Sequence, residues 1–396
     1  MSLTSLMSPP PRTGSPAVPG TLDTEPRTPP PGSTAKPAPP PLTTRSTLPV
    51  EILDYILQSL TRSELLPCLT LNSAFYNITS RVLYRALEDL EPAQSVACLL
   101  QLEQNPRVQP FVRKLEIDWN TQTSPTVNLY RLLHRVLKKV TALTVLSLEF
   151  PRPDTPLWIL NGCTFSLRHF STSLPCDQAL ARFLDTQPSL TELTLRGFPQ
   201  GADNIMPPFL SFSPSHATAS RNTFTLSPGA LPKLSSLRTV HGGPAIIASV
   251  VNGRPVQMAS IALFPTSSSE SLKALSLSAS PMRRLSIMSF DPAVQDYLLS
   301  EIATRFPQLE ALHIVILLSE YTNELLKALG PLLKGFKALQ YITFMAATDR
   351  TALPGEEQDI AKLWHHWCPT LKTIILPRGR VWFEGRSEWN SLDPDE

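Results

Sequence analysis

The chain lacks a charge excess of either sign. Its 35 Lys and Arg against 33 Asp and Glu leave a formal net charge of +2, so no global field favours nucleic acid or an anionic membrane. It lacks an apolar run approaching a membrane span, and Met1–Met7 is of mixed polarity before prolines begin, with no secretory apolar core. It lacks a pairing pattern of cysteines. Cys68, Cys98, Cys163, Cys176 and Cys368 are odd in number, widely spaced and without a C-x-x-C pair. Reduced thiols in the cytosol or nucleus fit that usage. The phosphate-cradling patterns G-x-x-x-x-G-K-[ST] and G-x-G-x-x-G are absent. HGGP at His241 matches a glycine-rich oxyanion segment, but the G-x-S-x-G elbow such chemistry needs is missing. His365-His366 with Cys368 has no second cluster to complete a tetrahedral metal site, and adjacent helical side chains diverge by about 100°. The expectation is no enzyme, no metal and no cofactor.

Proline is abundant. Of 41 in the chain, 13 fall in the first 46 residues among Ser, Thr and Gly. Such a segment cannot bury enough apolar surface to offset ordering, so residues 1–46 are expected to be disordered. Ser8-Pro9, Ser15-Pro16 and Thr28-Pro29 match the proline-directed phosphorylation pattern.

Order is expected to begin at Leu48. Pro49 suits a first helical turn, and Glu51 complements the positive end of the helix dipole. Ile52, Leu53, Ile56, Leu57 and Leu60 follow at helical spacing. Thr61-Arg-Ser-Glu64 reads as a capping box opening a second helix, with Pro67 inside it. A third helix is expected near Ser73–Leu87, with Phe75, Ile78, Val82 and Leu83 inward. Residues 47–90 thus form a three-helix module too small to be self-sufficient.

From Val108 the rhythm changes. L-x-x-L-x-L recurs as VRKLEI (Val112), LTVLSL (Leu143), LTELTL (Leu190), LKALSL (Leu272), LEALHI (Leu309), LQYITF (Leu339) and LKTIIL (Leu371). Degenerate copies stand at Leu167 and Leu234. Alternating apolar positions mark a strand with one buried face. Helical patterns fill several intervals, at Leu129, Cys176, Val294, Asn323 and Glu357. Strand, loop and helix repeated at this period predict an irregular leucine-rich-repeat-like α/β solenoid over residues 91–396. A loop insertion is expected near 199–232. GGPAIIASVVNGRPVQMASIALF suggests a hairpin around Asn252-Gly253, and PRGRVWFEGRSEW a terminal cap built on Trp382 and Phe383. Residues alternating with buried leucines face out from the sheet. Glu116, Glu149, Glu192, Thr194, Arg196, His313 and Tyr341 are the candidate target-binding residues, with Lys114 and Thr343 beside them. The basic helix face Arg131, Arg135 and Lys139 reads as solvated rather than as a nucleic-acid surface, since no base-reading aromatic accompanies it.

LPVEILDYILQSL followed by SELLPCLTLNSAFYNITSRVLYRAL resembles the F-box. Leu48-Pro49 supplies the opening pair, Glu51 the acid, and Ile52, Leu53, Ile56 and Leu57 the aliphatic helix. Leu65, Leu66 and Leu69 match the second helix, Leu71–Phe75 the third-helix entry, and Leu83-Tyr84 the closing pair. The chain departs from the pattern at Pro67 and in having no Arg after Ser73. Solenoids of this kind accompany the F-box in many fungal proteins. The resemblance implies docking onto the Skp adaptor, and through it a cullin, by Leu48, Pro49, Ile52, Leu53, Ile56, Leu57, Leu65, Leu69, Leu83 and Tyr84. It further implies recruitment of a protein substrate to a ubiquitin ligase in the cytoplasm or nucleus. The alternative is a protein-interaction scaffold outside any ligase, carrying a degenerate F-box.

Overall fold

The computed structural model describes residues 48–119, 125–151, 156–197, 224–265, 267–291, 297–347, 354–377, 379–384 and 389–392. The tail expected at 1–46 with its Ser-Pro and Thr-Pro pairs, and residues 199–223 of the expected insertion, lie outside these residues. The chain divides into two compact units with the boundary between Val82 and Leu83.

The first unit contains α1 (Val50–Gln58), α2 (Arg62–Cys68) and most of α3 (Ser73–Arg85). The Thr61 N–H donates to Glu64 Oε2 at 2.7 Å, which holds the start of α2. Pro67 is the penultimate residue of α2, so the backbone hydrogen bond it cannot donate falls in the last turn. The Asn72 side chain accepts from the Phe75 N–H at 3.0 Å and caps α3. Arg81 forks onto Asp54 Oδ1 at 2.8 and 3.3 Å, tying α3 to α1. The third helix ends at Arg85, not Leu87. Ala86 and Leu87 leave it to form a strand paired with Lys114 and Leu115, so the sheet starts before the boundary expected at 90.

Among the described residues the second unit carries a sheet of thirteen strands that neighbour one another in chain order. They are β1 (Ala86–Leu87), β2 (Lys114–Asp118), β3 (Val145–Glu149), β4 (His169–Thr172), β5 (Glu192–Leu195), β6 (Ser236–Thr239), β7 (Met258–Leu263), β8 (Arg284–Ser289), β9 (Ala311–Glu320), β10 (Tyr341–Ala347), β11 (Thr373–Ile375), β12 (Val381–Glu384) and β13 (Trp389–Leu392). β1 to β11 pair in parallel, and β11, β12 and β13 antiparallel. Parallel neighbours need crossovers. These include α4 (Pro92–Gln104), α5 (Val127–Leu137), α6 (Gln178–Asp185), α7 (Pro244–Val251), α8 (Ser268–Leu275), α9 (Leu298–Arg305), α10 (Asn323–Ala328) and α11 (Pro354–Trp367). Strand–crossover units stacked in sequence order make a leucine-rich-repeat-like solenoid.

The registers explain the core. Leu115, Leu146, Phe170, Leu193, Leu237, Ala259, Leu285, Leu312, Ile342 and Ile374 lie side by side across ten strands and all are buried. Three residues before each stands another buried apolar side chain: Val112, Leu143, Leu167, Leu190, Leu234, Val256, Met282, Leu309, Leu339 or Leu371. The carbonyl after that residue accepts two N–H groups of the following repeat, as Arg113 O does from Thr144 and Val145. Both lone pairs of one carbonyl thereby join consecutive repeats.

Several expectations fail for definite reasons. LKALSL at Leu272 is α8, not a strand. An i, i+3 leucine pair suits a helix equally well, and here Leu272 and Leu275 are buried while Leu277 is exposed. The strand of that repeat is β8, introduced by Met282. Asn252-Gly253 does not turn a hairpin. PAIIASVV forms α7, with Gly253 at φ +72° after its end, and MASIAL forms β7. Phe224–Pro232, assigned to the inserted loop, does run without helix or strand but is packed rather than projecting, with Phe224, Leu226, Ala230 and Leu231 buried. The terminal stretch forms the β12–β13 hairpin with Trp382 buried.

Candidate interaction surfaces

In the helical unit, α1 is apolar on two faces. Leu57 points inward at 3% exposure and Leu53 is half-buried. On the other side Tyr55 is 77% exposed and Ile52 and Ile56 about half; at the start of the helix Leu48 is 55% and Val50 50% exposed. Leu71 and Tyr76 add exposed apolar area on the same unit. Such a concentration on a small helical unit makes this the first candidate interaction surface. The residues expected at the adaptor separate into two groups. Leu48, Pro49, Ile52 and Ile56 are exposed, and Leu53 and Leu69 are intermediate. Leu57, Leu65, Leu83 and Tyr84 are buried and serve the interior instead. Val50, Tyr55, Leu71 and Tyr76 were not singled out from the sequence. Val50, Tyr55 and Tyr76 lie in helices and Leu71 in the turn before α3, and nothing in the sequence says which apolar face stays uncovered.

The second surface is the solvent face of the sheet. All seven candidate target-binding residues lie on it, because each alternates with a buried strand residue. The ladder runs Glu116, Ser147, Ser171, Thr194, Arg238, Ser260, Ser286, His313, Thr343 and Ile375 across neighbouring strands. Arg196 reaches Glu149 Oε1 at 3.3 Å, and the Ser171 hydroxyl donates to the same oxygen at 3.3 Å. Burial pushes the Glu149 carboxyl above its ordinary value; Arg196 and Ser171 oppose that, and Asp118 and Glu116 add to it. Glu192 lies 3.6 Å from His169 Nδ1, and Lys114 is paired with Glu88. The Ser286 hydroxyl and His313 Nδ1 are hydrogen-bonded at 3.0 Å. Towards the other end the face turns apolar. Met288, Val315 and Met345 stand in one register row, with Leu317 and Tyr341 exposed nearby.

The basic face of α5 is occupied. Arg135 Nε reaches Glu103 at 2.5 Å and Lys139 donates to the Glu103 carbonyl at 3.1 Å, which joins α5 to α4. Trp364 is buried, its indole N–H bonded to the Leu326 carbonyl at 2.8 Å, and His365 Nδ1 lies 3.2 Å from the Leu371 carbonyl. None of the five cysteines is in a disulfide, and burial pushes the Cys163 and Cys176 thiols up to about 12, away from nucleophilic use. Among the described residues no group of three or more His, Cys, Asp or Glu side chains is placed to hold a metal ion, and no helix is long and apolar enough to cross a membrane.

No protein-family model matches the chain, and no curated protein does. Among solved structures, a Bacteroides fragilis protein is 14% identical, with a TM-score of 0.40, over 72% of this chain and 72% of that one. An internalin of Listeria monocytogenes is 12% identical, with a TM-score of 0.27, over 62% of this chain and 65% of that one, a little under two thirds of its length. At these scores neither likeness bears on function. The leucine-rich-repeat-like description rests on the strand order and the register of the buried rows.

Proposed function

We propose that the chain is the substrate-recruiting subunit of a Skp–cullin–F-box ubiquitin ligase of the cytoplasm or nucleus. The exposed face of α1 docks the Skp adaptor, and the solvent face of the sheet holds the target. Catalysis belongs to other subunits, and this chain contributes proximity. The observation that carries the reading is the exposed apolar group Leu48, Val50, Ile52, Tyr55 and Ile56 at the position of the F-box resemblance. A second reading, an interaction scaffold outside any ligase, is favoured by Pro67 and by the missing Arg after Ser73, both departures from the F-box pattern.

Co-purification of the full chain with the Skp adaptor separates the two. Ile52→Asp with Ile56→Asp changes only exposed positions, so circular dichroism should match the unsubstituted chain. Removing two half-exposed aliphatic contacts and charging the interface costs about 2 kcal/mol or more, roughly thirtyfold in affinity. Adaptor binding lost in the double variant supports the ligase reading. A chain that never binds the adaptor supports the scaffold, and a variant that binds it as well as the unsubstituted chain removes the exposed face of α1 as the docking surface.

A further inference from the structure

The solvent face of the sheet changes chemistry along the stacking direction. β2 to β5 present Glu116, Asp118, Glu149 and Glu192. Of the basic groups beside them, Lys114 is paired with Glu88, Arg196 with Glu149, and His169 Nδ1 lies 3.6 Å from Glu192, so acids still outnumber bases in this zone. Glu116 and Asp118 lie close enough to Glu149 to disfavour its charge, so a further cation arriving here relieves repulsion as well as forming a contact. Arg238 on β6 and Arg284 on β8 follow, both exposed. The face then becomes apolar at Met288, Val315 and Met345 in one row, with Leu317 and Tyr341.

The interval sets a length. Neighbouring strands are about 4.8 Å apart, so the six steps from β3 to β9 span about 29 Å. An extended polypeptide advances about 3.3 Å per residue and covers that distance in roughly nine. Phosphate-bearing partners are disfavoured, because an acidic zone repels a nucleic-acid backbone or an anionic lipid surface. A polypeptide segment meets both zones, provided that the stretch passing Arg238 and Arg284 is not itself basic.

We propose that this face binds an extended segment of a partner protein carrying basic residues at one end and an aliphatic–aromatic pair about nine residues away. The basic end lies over Glu116, Glu149 and Glu192, and the apolar end over Met288, Val315 and Leu317. The proposal rests on the reading of this face as the target site, and deepens it by naming the target's chemistry.

Fluorescence anisotropy with the full chain alone tests it. The probe is a labelled synthetic peptide, Arg-Arg, then about seven Gly/Ser residues, then Leu-Phe, the spacer matching the span at ~3.3 Å per residue. A second peptide has a spacer of about three residues, too short for the span, and a third has Glu-Glu for Arg-Arg. The first should bind about tenfold more tightly than either control. Glu116→Gln with Glu192→Gln should weaken it about fivefold and flatten its salt dependence. Met288→Ser with Leu317→Ser should weaken it about tenfold and leave the salt dependence unchanged. Equal binding of the three peptides, or no binding of the first at about 1 mM, overturns the proposal. If both variant pairs weaken all three peptides alike, the polarity is overturned while the face stands as a docking site. If neither pair changes any peptide, the face itself is overturned. The chain is assayed without adaptor, so failure of the α1 docking reading leaves these outcomes unaffected.

Discussion

Arg254 is the side chain whose removal should cost the solenoid most for its size. It follows α7 and is 3% exposed. Its Nε donates to the Ala230 carbonyl at 2.8 Å, and its Nη2 to Ser227 at 3.0 Å. Its Nη1 donates to the carbonyls of Ser249, Val250 and Asn252 at 2.7, 3.1 and 3.2 Å. The last three lie at the C-terminal end of α7, where carbonyls lack intrahelical donors and a cation is favoured by the helix dipole. The first two belong to the packed stretch before β6. There Leu231 sits at φ +53°, a conformation that costs a non-glycine residue about 1–2 kcal/mol. One guanidinium therefore finishes a helix and pins a strained segment.

Arg254→Met keeps the apolar stem and removes every donor. Each carbonyl left buried without a partner costs about 1–3 kcal/mol, though those near the surface recover water. Returning a buried charge to water offsets several kcal/mol. Burial lowers the Arg254 pKa, with Asp185 opposing, so some desolvation penalty is present to recover. The expected net loss is about 3–5 kcal/mol, the range for breaking a buried charged network. Urea unfolding followed by circular dichroism measures it, and hydrogen exchange should show Ser227–Leu231 opening first. Arg254→Lys keeps the charge but has three donors on one nitrogen, which cannot reach carbonyls on both sides, and should retain more than half the loss. A Met variant within about 1 kcal/mol of the unsubstituted chain, or a Lys variant fully restored, would refute the reasoning.

Two further predictions concern the sheet. Leu285→Ala, in the buried row of β8, should cost about 3 kcal/mol in urea unfolding, whereas Leu277→Ala should cost less than about 0.5; the opposite order would restore the strand at Leu272. Glu149→Gln tests the raised carboxyl. Its folded pKa lies above its ordinary 4.5, so the folded state holds the proton more tightly. The stability this contributes is complete at acid pH and is lost as pH rises from 4.5 through the raised value. Because Gln does not titrate, the variant should gain stability relative to the unsubstituted chain between about pH 4 and pH 7. A relative stability that is constant, or that falls with pH, contradicts the assignment.

Much of the solenoid was legible because its signal is local. In VRKLEI, LTVLSL or LTELTL, each apolar residue alternates with a polar one, and burial on one face of a strand requires nothing from the rest of the chain. The pattern failed where another residue took the leucine position. Val256 and Met282 open the repeats of β7 and β8 and are buried like the leucines, yet neither stands out in the sequence. LKALSL carries the motif but folds as α8, because its neighbours on both sides supply the strands and leave it the crossover.

The sequence alone determined that α1 would carry aliphatic residues at helical spacing and that strand–helix units would stack. It did so through propensity and spacing, which act over a few residues. Tertiary structure decided which of two chemically equivalent aliphatic faces of α1 is covered: Leu57 is inside and Ile56 outside, although they are adjacent. It also decided which charges meet. Glu149 and Arg196 are far apart in the chain and become partners only because β4 and β5 stack beside β3 in sequence order. The acidic and apolar zones of the sheet arise in the same way, from register between strands that no local pattern specifies.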